Sequence, residues 1–552
     1  MPPAKNRSAL ALFAFLPELA FLQLGFEKDI EGGFNVLKTI RYGVKMKKLL
    51  MFFLLAAATA FAAEPVKKPK LVVAIIIDQF RYDYLTRFRN EYKGGLARLM
   101  DQGAVFTNGY YEHFPTVTAV GHSVFMTGAM PSVSGIVGND WYDRSAGKRV
   151  TSVGDDSVKI LGGPGEGGAS PNRLLVSTVG DELKAATGGK SRVIGISMKD
   201  RAAILPAGHA ADAAYWFDSK TGNFVSSTFY FPDLPAWVKE FNLHSTEKYK
   251  GAAWAGGKLP SDAKLFSAIV SSPFGNDLLE SFAERAIQDE CLGNDDIPDL
   301  LAVSFSSNDY VGHEFGPDSA EVRATCLATD EVLGRFFKFL DSSVGLNNVL
   351  VVLAGDHGVA PTPEANAARH SSGGRMPPVI QSTVQAELAK KYGDGKWILS
   401  TSEHTLYLNL DLIREKNQTR AQVEETVREA VLALPHVFRV YTRTQLMNGS
   451  IFDDKIGRQV ANGFNQVRGG DVFLLLEPFW FYGTPTTTHG SAFNYDSHVP
   501  VIFMGPWVRS GIYDGNIVVN DVAPTLATIL EIETPNGADG RALKEIILRP
   551  AK

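Results

Sequence analysis

Cysteine is nearly absent from this 552-residue chain, which has only Cys291 and Cys326. One disulfide is therefore the most it can form. In an oxidising compartment that bond would enclose Asp309 and His313, and two buried thiols are the equal alternative. Excess charge is lacking too: 55 basic residues face 60 acidic ones, giving −5 with no long run of either sign. Neither nucleic acid nor an anionic bilayer is an expected partner of such a chain. There is no internal repeat. The apolar stretch 9–26 is short for a bilayer and is interrupted by Pro17 and Glu18, so a membrane anchor is not expected. What remains is the composition of a globular enzyme, long enough for several cores or for one large α/β domain with insertions.

The N-terminus reads as an export signal. Met46-Lys47-Lys48 gives a positive start, 49–58 an apolar run and Ala60-Phe61-Ala62 a small-x-small cleavage pattern. Cleavage is expected after Ala62. On that reading 1–45 is an over-extended gene start, 46–62 the signal peptide and 63–552 the catalytic domain, periplasmic or secreted. Losing eight basic and four acidic residues takes the formal charge to −9. No cysteine lies near the cleavage point, which argues against lipid attachment.

Short apolar, β-branched or aromatic runs at 71–77, 192–196, 300–305, 348–353 and 499–504 alternate with helical periodicity at 278–288, 320–340 and 420–434. Continuous apolar strands require a sheet covered on both faces, hence an α/β, doubly wound, mostly parallel sheet. Two stretches differ in texture, one aromatic and glycine-rich near 205–275, the other charged near 366–470. Both are expected to be insertions that cap the site.

Ligands of open α/β sheets bind at the carboxyl ends of the strands. Asp78 follows the first strand. Asp309 and His313, spaced i, i+4, share one helical face. Asp356 and His357 sit in a turn braced by Gly355 and Gly358, and His489 precedes Gly490. Each segment alone has an ordinary structural explanation, Asp78 as a helix cap for instance. Together, three carboxylates and three imidazoles at equivalent places fit a two-metal hydrolase. Asp78, Asp356 and His357 would make one site, Asp309, His313 and His489 the other. Mixed N and O donors suit two Zn²⁺ better than magnesium, and manganese or iron suits them also. Thr118 stands where a loop enters a helix, a place that favours a phosphate, although a capping threonine would look the same.

The segments Asp78-Gln79-Phe80-Arg81, Thr118-Ala119-Val120-Gly121-His122, Asn308 to His313, Gly355-Asp356-His357-Gly358 and His489-Gly490 resemble the alkaline phosphatase superfamily over 70–545. The likeness is greatest to the bacterial phosphate-irrepressible alkaline phosphatases, with the tail Asp521-Val522-Ala523-Pro524-Thr525-Leu526 shared. The resemblance implies Thr118 as nucleophile and metal ligand, and the two metal trios above. It also implies that Asn139, Lys199 and Arg201 are the catalytic residues that bind the nonbridging oxygens of a monoester. Val120 replaces the proline of relatives, a departure that touches loop shape rather than the ligands. The Cys/Ser-x-Pro-x-Arg motif of the sulfatase branch does not occupy the nucleophile position.

The expected activity is hydrolysis of small phosphate monoesters through a phosphothreonine. A phosphodiesterase or nucleotide pyrophosphatase with the same metals is the alternative, and a non-catalytic binding protein on this scaffold is the third reading. No motif specifies the natural alcohol or the oligomeric state.

Overall fold

The computed structural model describes residues 67–548 apart from 165, 166 and 403. The gene-start and signal-peptide expectations lie outside the described residues. Five strands form the parallel heart of the fold: β1 (Leu71–Ile77), β3 (Val193–Ser197), β4 (Ala213–Asp218), β6 (Asp299–Phe305) and β7 (Val349–Gly355). They are joined by β2 (Ala104–Tyr110), β5 (Asn223–Ser227), β8 (His498–Met504), β9 (Gly511–Val518) and the two-residue strand Ile160–Leu161. The order across the ten-stranded sheet is β9-β2-β8-β7-β1-β6-β3-β4-β5 and then Ile160–Leu161.

β1 lies at the centre, parallel to β6 on one side and to β7 on the other, with Ile77 level with Phe305 and Gly355. β8 runs antiparallel to β7, so the sheet is mixed at its edges. All seven residues of β1, β6 and β7 are buried, as apolar strands covered on both faces must be. One hydrophobic cluster packs on each face, Ile76, Val352 and Val124 on one and Ile75, Leu353 and Phe336 on the other.

Part of the stretch near 205–275, expected as an insertion, is instead sheet. Ala213 to Phe217 are all buried, and β4 pairs in parallel with β3, so the change of texture marks the sheet approaching its edge. Residues 374–482 build a second four-stranded sheet, in the order 398–402, 405–408, 472–476, 437–442, over a hydrophobic cluster of its own. The disulfide alternative is resolved: both cysteines are free, Cys291 exposed and Cys326 buried. Among the described residues no helix is long and apolar enough to cross a membrane.

Candidate active site

Because β1, β6 and β7 are parallel and in register, the residues that leave their carboxyl ends meet at one place. Asp78 follows Ile77 with its amide bonded to Phe305 O (3.0 Å). It does not cap the next helix, whose N-cap is Arg81. From β6 the chain enters α3 (Ser307–Phe315), which puts Asp309 and His313 one turn apart. Asp356 and His357 follow β7, where glycine is required: a Cβ on Gly358 would lie 2.1 Å from Tyr495 O.

Two trios result. Asp78, Asp356 and His357 each offer a ligand atom within 4.8 Å of the others, as do Asp309, His313 and His489. His357 Nε2 lies 3.6 Å from Asp78 Oδ1 and 3.4 Å from Asp356 Oδ2. His313 Nε2 is 3.2 Å, and His489 Nε2 3.7 Å, from Asp309 Oδ1.

Each imidazole is held from behind. Nδ1 of His313 donates to Thr487 O (3.0 Å), that of His357 to Gly358 O (2.9 Å) and that of His489 to Thr116 O (2.9 Å). These bonds fix the tautomer and leave Nε2 bare and facing the carboxylates, the arrangement of a metal-ligating histidine. Burial pushes the His357 and His489 imidazoles down, His489 strongly, so both are neutral as ligands must be. Burial also lowers His313, but Asp309 outweighs it and the net shift is upward. Burial, with the nearby Asp356 charge, drives Asp78 well above the carboxylate range. Burial acts the same way on Asp309, yet Lys199 and His313 hold it well below its ordinary value. The completely buried Asp78 Oδ1 accepts no hydrogen bond. An orphaned carboxylate oxygen among neutral Nε2 atoms is a donor set that divalent cations fit.

Thr118 is the first residue of α1 (Thr118–Thr127), not its cap; Val117 is the N-cap and makes no side-chain bond. The hydroxyl is thus not spent on capping, and Oγ1 lies 3.5 Å from His357 Nε2. Asn139 Oδ1 instead accepts from Ala119 N (2.9 Å) and serves that helix end. Lys199, far from being a solvated turn, is 5% exposed, with Nζ 2.7 Å from Asp78 Oδ2 and 2.6 Å from Asp309 Oδ2. It joins the two trios. Arg201 is next to it on α2 (Asp200–Ala207), with Nε unbonded and a quarter of its side chain open to solvent.

Two participants carry no signal in the sequence beyond adjacency. Gln79, at φ 58°, donates its amide N–H to Asp356 Oδ1 (3.0 Å) and its side-chain amide to Asp309 Oδ1 (2.7 Å), so it spans both trios. His122 Nδ1 lies 2.8 Å from Thr118 O and 3.2 Å from Asp356 Oδ2, while its Nε2 is 2.7 Å from Ser304 Oγ.

Comparison with known proteins places the chain in a family. The family model of type I phosphodiesterase/nucleotide pyrophosphatase matches residues 72–496. Alkaline phosphatase PafA of Elizabethkingia meningoseptica is 36% identical over 522 residues, covering 88% of this chain and 95% of its own length. A Myroides odoratus protein named calcium-transporting ATPase is 37% identical over 527 residues, covering 88% and 96%. The crystal structure of wild-type PafA superposes with a TM-score of 0.82 at 34% identity, over 88% of this chain and 100% of that one. The chain belongs to the type I phosphodiesterase/nucleotide pyrophosphatase family. Within that family it is a PafA-like alkaline phosphatase, a phosphoric monoester hydrolase.

Proposed function

We propose that the chain hydrolyses phosphate monoesters through a phosphothreonine at Thr118, with two divalent cations. The observation that supports this most is the pair of trios, with the Nε2 of His357 3.5 Å from Thr118 Oγ1. Asp78, Asp356, His357 and Thr118 would hold one cation, and Asp309, His313 and His489 the other. Zinc fits these donors best, and a bound pair supplies charge stabilisation and a water whose pKa falls to about 7.

Thr118 Oγ1 attacks phosphorus in line, the bond to the alcohol oxygen breaks and the alcohol departs. Water then releases phosphate from the threonine. Arg201 offers guanidinium donors to the equatorial oxygens, where charge accumulates in a loose transition state. Asn139, its Oδ1 engaged by Ala119 N, has its amide N–H₂ left to donate. Lys199 balances Asp78 and Asp309 in the protein alone, so cations at the trios would free its ammonium for a phosphoryl oxygen. A monoester dianion has one more charged oxygen than a diester and gains most from this cluster. We also propose that 46–62 directs export, so that the mature enzyme is periplasmic or secreted; the N-terminal sequence of exported protein tests it.

Thr118→Ala should abolish turnover while both metals stay bound, as metal analysis of the purified variant would show; near-normal turnover refutes the nucleophile. The name of the matching family favours diesters as the second reading. Comparing kcat/KM for a monoester and a diester of one leaving group decides between them, a diester preference defeating the choice made here.

A further inference from the structure

We propose that Asp496 is a positioning residue that locks the loops carrying Thr118, His357 and His489 into one register. It lies in a single helical turn, Asn494–Ser497, just before β8. The side chain is 1% exposed, and its Oδ2 accepts two bonds from Ser491, from N (2.8 Å) and from Oγ (2.5 Å).

Ser491 passes the constraint on. Its carbonyl accepts from Thr116 Oγ1 (2.7 Å), and the Thr116 carbonyl in turn accepts from His489 Nδ1 (2.9 Å). One chain of hydrogen bonds therefore runs from Asp496 through Ser491 and Thr116 to His489, and Thr116 is two residues from the nucleophile. The backbone of the same turn holds the third loop. Asp496 O accepts from Gly358 N (2.7 Å) and Tyr495 O from Val359 N (3.0 Å), while Gly358 O fixes His357.

A burial this complete is costly for a carboxylate, and Asp496 Oδ1 makes no hydrogen bond at all. What the acid gains is two bonds onto one serine, the junction between the His489 and Thr116 loops. Asp496 touches neither trio in these contacts, so its effect passes through the residues it holds. The inference rests on the two-metal reading and adds the part that fixes the ligands' geometry.

The test uses the full chain with Asp496→Ala, Asp496→Asn and Thr116→Val, and reads kcat, KM, the zinc dissociation constant by chelator competition and Tm. Asp496→Ala should weaken zinc roughly 10–100-fold and lower kcat by about the same factor, with KM little changed. Asp496→Asn, whose amide oxygen can accept both bonds from Ser491, should restore both to within about threefold of wild type, since the bonds and not the charge do the positioning. Thr116→Val removes a single hydroxyl and should lose about tenfold in kcat with Tm near wild type. Wild-type kcat and zinc affinity in Asp496→Ala overturn the inference, as does equal damage in the alanine and asparagine variants. If Asp496→Ala does not fold, Thr116→Val decides alone, and wild-type behaviour there overturns it. Failure of the two-metal reading is separate: the wild-type enzyme would then bind no zinc and keep its turnover in chelator.

Discussion

At the scale of single residues, the site depends on His357 and His489 staying neutral, and burial is what keeps them so. His113, near the nucleophile loop, is a clear case outside the trios. It is fully buried, its Nδ1 lies 3.1 Å from Pro115 O and so carries the proton, and its Nε2 has no partner. Burial pulls it down to about 4, with Pro115 opposing and His357 assisting the shift. The unfolded chain takes up this proton near pH 6.5, the native chain only near pH 4. The stability held above pH 6.5 is therefore lost as pH falls towards 4. Between pH 7.5 and 4.5, metal-free wild type should lose about 2 kcal/mol more than His113→Gln in urea unfolding. Parallel pH profiles for the two proteins would contradict the assignment. Which residues can ligate was legible in the sequence, since Asp78, Asp309, Asp356 and His357 follow apolar strands. Gln79, His122 and Asp496 were not, because their partners lie between 4 and 277 residues away with no local pattern to announce them.

At the scale of elements, the nucleophile's accuracy comes from how closely α1 approaches the turn after β7. All ten residues of α1 are buried, so the helix has no solvent face and cannot shift outward to relieve a clash. At Gly121 a Cβ would lie 2.2 Å from Asp356 O and 2.9 Å from Asp356 Cβ. Gly121→Ala must push α1 from Asp356, carrying Thr118 and the Asp356 ligand apart. Overpacking of this kind costs about 1–3 kcal/mol, and a displacement near 1 Å can cost up to about 100-fold in rate. The variant should therefore lose Tm and, more sharply, kcat; unchanged kcat in a folded variant would show that this contact does not set the geometry. The five strands read from apolar runs match observed elements to within about two residues, as full burial leaves a continuous signal. β9 escaped because seven of its eight residues are not buried, and β2 because Thr107 and Asn108 interrupt its apolar run.

For the molecule as a whole, three buried carboxylates share one place with a single ammonium, Lys199, between them. Like charges gathered in a buried pocket oppose folding, and two divalent cations would reverse that balance. Each cation at about 1,000 times its dissociation constant stabilises the native state by about 4 kcal/mol. Chelator should accordingly lower Tm by several degrees or more, and added zinc should restore it. The loss should also be local. The second sheet of 374–482 packs over its own cluster of Val384, Leu406, Val427 and Leu474, residues that take no part in either trio. The segments around 78–81, 116–118, 306–309, 355–359 and 488–491 are tied to one another by hydrogen bonds and ion pairs around the carboxylates. Hydrogen exchange with and without chelator separates these regions. Protection should fall in the five loops and hold in the helix Arg420–Leu432, whereas equal loss in both would mean that the cations stabilise the whole chain rather than the place where the strands end.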